Sequence, residues 1–400
     1  MRLDDFFNDS NDGDLEEKVE ENIILKPFQV EAFNNWVKAG FKGVIIAPTG
    51  TGKTIIGGYA ISRLKEPALI ICPTERILKM WVERLREKFN IVATPYYGYV
   101  KKLSTTTVSI YNTVAMHHPE LLDRFKLIIL DEVHHAASNV FSRIIGLLND
   151  GHKVMALTAT LKREDEKHQL IKAKMPVVYC LDLKTAIQNG LVAPIKIIPV
   201  PVDMDDRERE EYKKIEDSIA RIKYLIAGLR DGEEKEKLES ELRKKINIRK
   251  QLLSSLEEKK RAVYNIASRY DERVLVFSES VKSIEDLKSY LNRMGVASET
   301  YHSYKNEKER DRIFSEWGRS FKVLLSCRAL DEGVDVPEAS IAIMIASGMS
   351  VRQLVQRKGR IMRFKKGKTA ELYVVYARGT VESTIPRKIE SILKGIIKLY

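Results

Sequence analysis

The stretch Gly43-Val44-Ile45-Ile46-Ala47-Pro48-Thr49-Gly50-Thr51-Gly52-Lys53-Thr54 decides the reading of this chain. An apolar run, GVIIA, enters a glycine-containing turn that ends in Lys-Thr, and a helix-forming string (IIGGYAISRL, residues 55–64) follows. This is a phosphate-binding loop with Ala47 at the place of the first glycine. Glycines let backbone N–H groups converge on phosphate oxygens, and the following helix N-terminus adds partial positive charge. Thr49, Gly50, Thr51 and Gly52 form the cradle, Lys53 is placed for the β- and γ-phosphates, and the Thr54 hydroxyl for Mg²⁺. ATP and Mg²⁺ are therefore the expected cofactors.

Such a loop needs a carboxylate at the end of a neighbouring strand. KLIILD (126–131) supplies it: Asp131 is expected to hold Mg²⁺ and Glu132 to orient or deprotonate water. His134 and His135 follow at once, but with no Cys or third His nearby in sequence zinc is not expected.

Around this pair the pattern repeats. ALIIC (68–72), TVSIY (107–111) and KVMALTA (153–159) precede a charged stretch, and RVLVFS (273–278), KVLLSC (322–327), IAIMIAS (341–347) and ELYVVYA (371–377) come after it. Short β-rich runs separated by helix-length segments describe parallel sheets covered by helices, so the fold class is α/β with two such domains. From Asp205 to Arg261, apolar residues Ile215, Ile219, Ile222, Ile226 and Leu229, then Leu238, Leu242 and Ile246, recur at helical spacing. Asp231-Gly232 between the stripes is read as a C-cap and turn, giving a helical hairpin carried by the second domain. A solvated helical spacer is the alternative. Residues 1–22, with nine acidic and two basic side chains, are read as an acidic tail.

The 400 residues carry 68 Lys+Arg against 56 Asp+Glu, a formal charge of +12, and 44% of them are hydrophobic. That is compatible with real cores and with a polyanionic partner. Three scattered cysteines argue against a disulfide framework, and the absence of a long apolar run argues against a membrane span or secretory signal. An intracellular protein is expected, cytoplasmic and nucleoid-associated if the source is prokaryotic.

Phosphoryl transfer also calls for cations at the γ-phosphate. Gln356, Arg357, Arg360 and Arg363 stand near the other end of the chain, Arg360 about 300 residues after Lys53. They can serve the loop only from a second domain.

In this order the motifs resemble those of superfamily 2 helicases. Leu25 to Gln29 is similar to the adenine-reading element, Cys72-Pro73-Thr74 to motif Ia, and Asp131 to His134 to motif II. Thr158-Ala159-Thr160 is similar to motif III, Val274 to Ser278 to motif IV, Ser326 to Pro337 to motif V, and Gln353 to Arg363 to motif VI. Arg163-Glu164-Asp165 and the form QRKGRIMR resemble the XPB-like branch, especially its compact archaeal members, and the charged hairpin stands where that branch carries a thumb-like insertion. Lys26 departs from the usual Arg, and with only an acidic tail before the first lobe, direct lesion sensing is not expected.

The resemblance implies two RecA-like lobes, at 23–203 and 263–400, with the insertion at 204–262. It implies that Gln29 reads adenine, Gln356 touches the γ-phosphate, Arg360 and Arg363 act as arginine fingers, and Gly333 and Asp335 couple the second lobe to the nucleotide. Backbone-directed nucleic-acid contacts are expected near Thr74, Thr113, Thr160 and Ser326, with Arg163 near a strand fork. The implied activity is an ATP-dependent DNA helicase or translocase, 3′ to 5′, acting on forked or partly single-stranded DNA in repair or transcription. A monomeric motor and a nuclease partner are expected. A duplex-DNA- or RNA-stimulated ATPase that remodels branches, or an ATP-gated clamp that does not unwind, are the alternatives.

Overall fold

A computed structural model describes residues 24–117, 119–134, 142–161, 168–192, 194–327, 339–346 and 369–393. The chain divides into two compact units, with the change of unit at Ala186/Ile187. The acidic segment 1–22 lies outside the described residues.

The first unit holds strands β1 (Lys42–Ile46), β2 (Ala68–Cys72), β3 (Thr94–Tyr97), β4 (Val100–Lys101), β5 (Thr106–Ile110), β6 (Leu127–Asp131), β7 (Lys153–Thr158) and β8 (Val177–Cys180). They form one sheet in the order β4-β3-β5-β2-β6-β7-β1-β8. Pairing is parallel throughout except between β3 and β4. The central strands β2 and β6 are buried at every position, as continuous apolar runs require when both faces are covered. Helices α1 (Pro27–Lys38), α2 (Lys53–Leu64) and α3 (Glu75–Phe89) pack on this sheet. Tyr111, Val114, Leu122, Phe125 and Ile144 belong to the core that also includes alternate residues of β1, β2, β6 and β7.

The second unit is a six-stranded parallel sheet of β9 (Ile195–Val202), β10 (Val274–Ser278), β11 (Ser298–Tyr301), β12 (Val323–Cys327), β13 (Ile341–Ile345) and β14 (Ala370–Ala377). Its order is β11-β12-β10-β13-β14-β9. β9, placed in the first lobe by the sequence reading with its boundary at 203, instead pairs with β14 along its whole length, from Ile195 opposite Ala370 to Val202 opposite Ala377. Pro199 and Pro201 suit β9 to its place at the edge of this sheet. Two residues apart on one strand, neither has an N–H to donate, so that side of the strand suits only a sheet edge.

The charged stretch forms two helices, Asp206–Ala227 and Glu233–Ser255, packed against each other. Asp205 caps the first, its carboxylate accepting from Glu208 N at 2.7 Å while Glu208 accepts from Asp205 N. Gly228 is the C-cap and Gly232 precedes the second helix, so Asp231-Gly232 is the turn but not the cap. Arg249 bridges the pair to Glu216 at 2.6 Å. Tyr212, Leu253 and Leu256 join the core of the second sheet, rooting the hairpin in that unit.

Candidate active site

The phosphate-binding loop lies between β1 and α2, at the carboxyl end of the strand next to the edge strand β8, and ligands of open parallel sheets bind at such strand ends. Gly50 and Gly52 take φ of +84° and +98°, conformations that a side chain would strain. The Thr51 hydroxyl donates to Pro48 O at 2.7 Å and ties the loop across its own turn. Gln29, on α1, straps the loop from outside. Its Oε1 accepts from Lys26 N at 2.9 Å, and its Nε2 donates to Thr51 O at 3.3 Å and Gly52 O at 3.2 Å.

Lys53 opens α2 and is buried, its Nζ donating to Ala47 O at 3.1 Å and lying 3.9 Å from Glu132 Oε1. Asp131 ends β6 and Glu132 follows with φ of +48°. A left-handed glutamate costs about 1–2 kcal/mol. It turns the chain at the strand end and sets a second carboxylate beside the lysine, so the loop and the acidic pair form one buried cluster.

His134 extends this cluster toward β7. Its Nδ1 lies 3.1 Å from Thr158 Oγ1 and 3.5 Å from Glu132 Oε2. The single Thr158 hydroxyl proton goes to Thr160 O at 2.6 Å, so His134 Nδ1 is the donor to Thr158. The sequence reading dismissed His134 as a metal ligand without seeing that it joins Glu132 to the Thr-Ala-Thr turn.

Two further side chains escaped that reading. Trp81 Nε1 donates to Asp131 Oδ2 at 2.8 Å, and Arg84 NH1 reaches Thr54 Oγ1 at 3.5 Å. Both lie on α3, three residues apart and hence on one face. The usable signal was the amphipathic pattern of ERILKMWVERLREKF, which buries Ile77, Leu78, Trp81 and Leu85. Tyr111 OH adds a hydrogen bond to the carbonyl of Asp131 at 3.0 Å.

The Thr54 hydroxyl and Asp131 carboxylate are hard oxygen donors of the kind Mg²⁺ takes. Among the described residues no group of three or more His, Cys, Asp or Glu could hold a metal alone.

Of the expected nucleic-acid contacts, Thr74 is half-exposed and N-caps α3 by accepting from Ile77 N at 3.4 Å. Thr113, Thr160 and Ser326 are buried, at 7%, 1% and 1% exposure, so their hydroxyls present almost no surface. Ser326 stands on β12 opposite Phe277 and Tyr301. Arg163, Gly333, Asp335, Gln356, Arg360 and Arg363 lie outside the described residues.

The first unit therefore defines a P-loop nucleotide hydrolase, with its lysine, its strand-end aspartate and an adjacent glutamate in one cluster. Comparison with known proteins narrows the class. Residues 22–163 match the family described as type III restriction enzyme, res subunit, and residues 258–365 match the helicase conserved C-terminal domain. The chain is 29% identical over 388 residues to the DNA 3′-5′ translocase XPB2 of Sulfurisphaera tokodaii, covering 92% of this chain and 85% of that one. It is 27% identical over 376 residues to the DNA 3′-5′ helicase XPB of Kineococcus radiotolerans, covering 90% of this chain but 61% of the relative. With the general transcription and DNA repair factor IIH helicase/translocase subunit XPB of Drosophila melanogaster it shares 24% identity, spanning 48% of that protein. The fold resembles the Hef helicase domain of Pyrococcus furiosus, with a TM-score of 0.60 and 18% identity over 91% of this chain and 97% of that one. The chain is thus similar to XPB-type DNA helicases and translocases and matches two helicase-type domain models.

Proposed function

We propose that this protein is an ATP-dependent DNA translocase and helicase of 3′ to 5′ polarity, working on forked or partly single-stranded DNA in repair or transcription-linked opening. The observation that carries the reading is the buried cluster of Lys53, Glu132, His134 and Thr158, which joins the phosphate loop to the acidic pair and to the Thr-Ala-Thr turn. Lys53 neutralises the β- and γ-phosphates. Thr54 and Asp131 would hold Mg²⁺, which would supply positive charge to the phosphoryl oxygens. Glu132, steered by its left-handed backbone, orients the attacking water and takes its proton. His134 lies beside that carboxylate and hydrogen-bonds Thr158, which in turn bonds Thr160.

Gln356, Arg360 and Arg363 complete the charge at the γ-phosphate, and Gly333 and Asp335 tie the second unit to the nucleotide. Cations supplied by a separate unit make hydrolysis depend on the position of that unit, which is how a motor links chemistry to movement. The near-complete burial of Thr113, Thr160 and Ser326 favours contact through backbone groups around them, with Thr74 and Arg163 giving side chains to the phosphates. Backbone contact of this kind is largely independent of sequence. The motor works as a monomer beside a nuclease-type partner inside the cell, and at the nucleoid if its source is prokaryotic; among the described residues no helix is long and apolar enough to cross a membrane.

The test is a panel of ATPase stimulation by duplex DNA, forked DNA and duplex RNA, run beside strand displacement on forks of both polarities. Displacement confined to forks with a 3′ loading strand is expected. Strong turnover with neither displacement nor translocation identifies an ATP-gated clamp instead.

A further inference from the structure

We propose that Trp81 is a positioning residue for the metal-holding carboxylate, setting the plane of Asp131 through its indole N–H; the inference rests on the assignment of Thr54 and Asp131 to Mg²⁺. The terminal torsion of an aspartate is broad, so a strand-end carboxylate has no fixed plane of its own. Here each oxygen receives a separate donor. Oδ1 accepts from Glu132 N at 3.0 Å and Oδ2 from Trp81 Nε1 at 2.8 Å. The first donor is the amide of the next residue and moves with the same backbone. The second comes from another helix, 50 positions away in sequence. Two donors on two oxygens define a plane.

The choice of an indole matters. A lysine or arginine at this position would fix the carboxylate too, but would cancel the charge that attracts the ion. An indole N–H is a neutral donor with nothing to titrate. Trp81 is also held rigidly. It is wholly buried, and a Cβ on Gly57 of α2 would stand 2.7 Å from its Cη2. A glycine inside a helix is unfavourable by about 1 kcal/mol relative to alanine; here it lets α2 close onto the ring. The same glycine therefore joins the helix that begins with Lys53 and Thr54 to the helix that holds Asp131.

α3 gives this contact a further consequence. Its N-cap is Thr74, a proposed phosphate contact, and Trp81 lies two turns along the same helix. A shift of α3 on nucleic-acid engagement would be felt directly at the metal carboxylate.

The test uses Trp81→Phe in the full chain, with Trp36→Phe as its control. Trp36 is equally buried in the same unit, and its Nε1 donates to the Val154 carbonyl at 2.8 Å. Both variants lose one buried indole hydrogen bond, so both should melt earlier by similar amounts. Binding of Mn²⁺ with ADP, followed by electron paramagnetic resonance without turnover, separates them. W81F should weaken metal binding by roughly 10- to 100-fold, the usual loss when a partner of a metal ligand is removed, while ADP affinity in EDTA stays as in the parent. W36F should bind the ion as the parent does. Parental metal affinity in W81F, or equal weakening in both variants, overturns the proposal. Asp131→Asn serves as the separate check on the metal assignment: if it leaves Mn²⁺ binding intact, that assignment fails, whatever W81F does. Should W81F not fold, ¹⁵N-labelled parent protein provides the readout. The Trp81 indole resonance should move on adding Mg²⁺ with ADP, but not with ADP in EDTA, and an unmoved resonance refutes the role.

Discussion

Replacing Glu382 with Gln should loosen the carboxyl end of the second sheet. Glu382 sits in the short helical turn after β14, and Lys259 in the helix Glu257–Ala267; their exposures are 1% and 0%. The ammonium donates to both carboxylate oxygens, at 2.9 and 2.7 Å, and to the carbonyl of Ala346, while Oε2 also accepts from Ala377 N at 2.8 Å. One ion pair thus pins the exits of β13 and β14. Burial pushes the Lys259 pKa down and the Glu382 pKa up, and each charge opposes the shift of the other. The Gln variant keeps the shape and leaves the ammonium without its counter-charge. Breaking a buried pair from one side costs about 3–5 kcal/mol, which is roughly a hundredfold to several thousandfold in an opening equilibrium. The double variant Lys259→Met, Glu382→Leu removes both desolvated charges and strands only the Ala377 N–H and Ala346 carbonyl. Those two groups cost about 1–3 kcal/mol each, so the double variant should fall short of the summed single losses, by about 4 kcal/mol at mid-range. Hydrogen exchange of β13 and β14 amides in the full chain measures this, with β1 and β6 of the first unit as internal reference. Protection in the Gln variant within about threefold of the parent, well under the loss expected for a buried pair, would refute the reasoning.

Lys53→Ala should abolish ATP turnover, because its ammonium is the loop's charge on the β- and γ-phosphates; near-parental hydrolysis would remove the loop from the mechanism. Arg360→Ala should leave nucleotide affinity nearly unchanged and slow hydrolysis by ~10³-fold as expected of an arginine finger. Equal loss of binding in a nucleotide titration marks it as structural instead. Glu299 is partly buried, which raises its pKa, but hydrogen bonds from Lys288, Thr300 N and Lys305 outweigh this and bring it to about 2. A carboxyl held below its unfolded value of 4.5 stabilises the fold above that pH and loses the contribution as pH falls toward about 2. Glu299→Gln should therefore flatten the acid destabilisation of the second unit between those values, and an unchanged acid melting profile would count against the network.

Much of this molecule was legible before any coordinates. Runs such as ALIIC and LIILD become fully buried central strands because a chain with apolar groups on both faces has nowhere else to go. The phosphate loop was legible for a related reason, since glycines, lysine and threonine at that spacing act through neighbours in the chain. Less visible were strands such as β11, a short polar SETY that buries Ser298, Thr300 and Tyr301, and β9, which carries two prolines and pairs with β14. Their place depends on which strands flank them, and local composition does not encode that.

The sequence alone laid out the local elements: a glycine-bearing loop with its lysine, a strand-end aspartate, a glutamate beside it, and a charged hairpin. Tertiary structure decided what holds those groups. Trp81 meets Asp131 across 50 residues, His134 meets Thr158 across 24, and Lys259 meets Glu382 across 123. Each pairing arises where packing brings distant segments to one buried point, and a buried polar group must find its partner there or carry the cost of lost hydration.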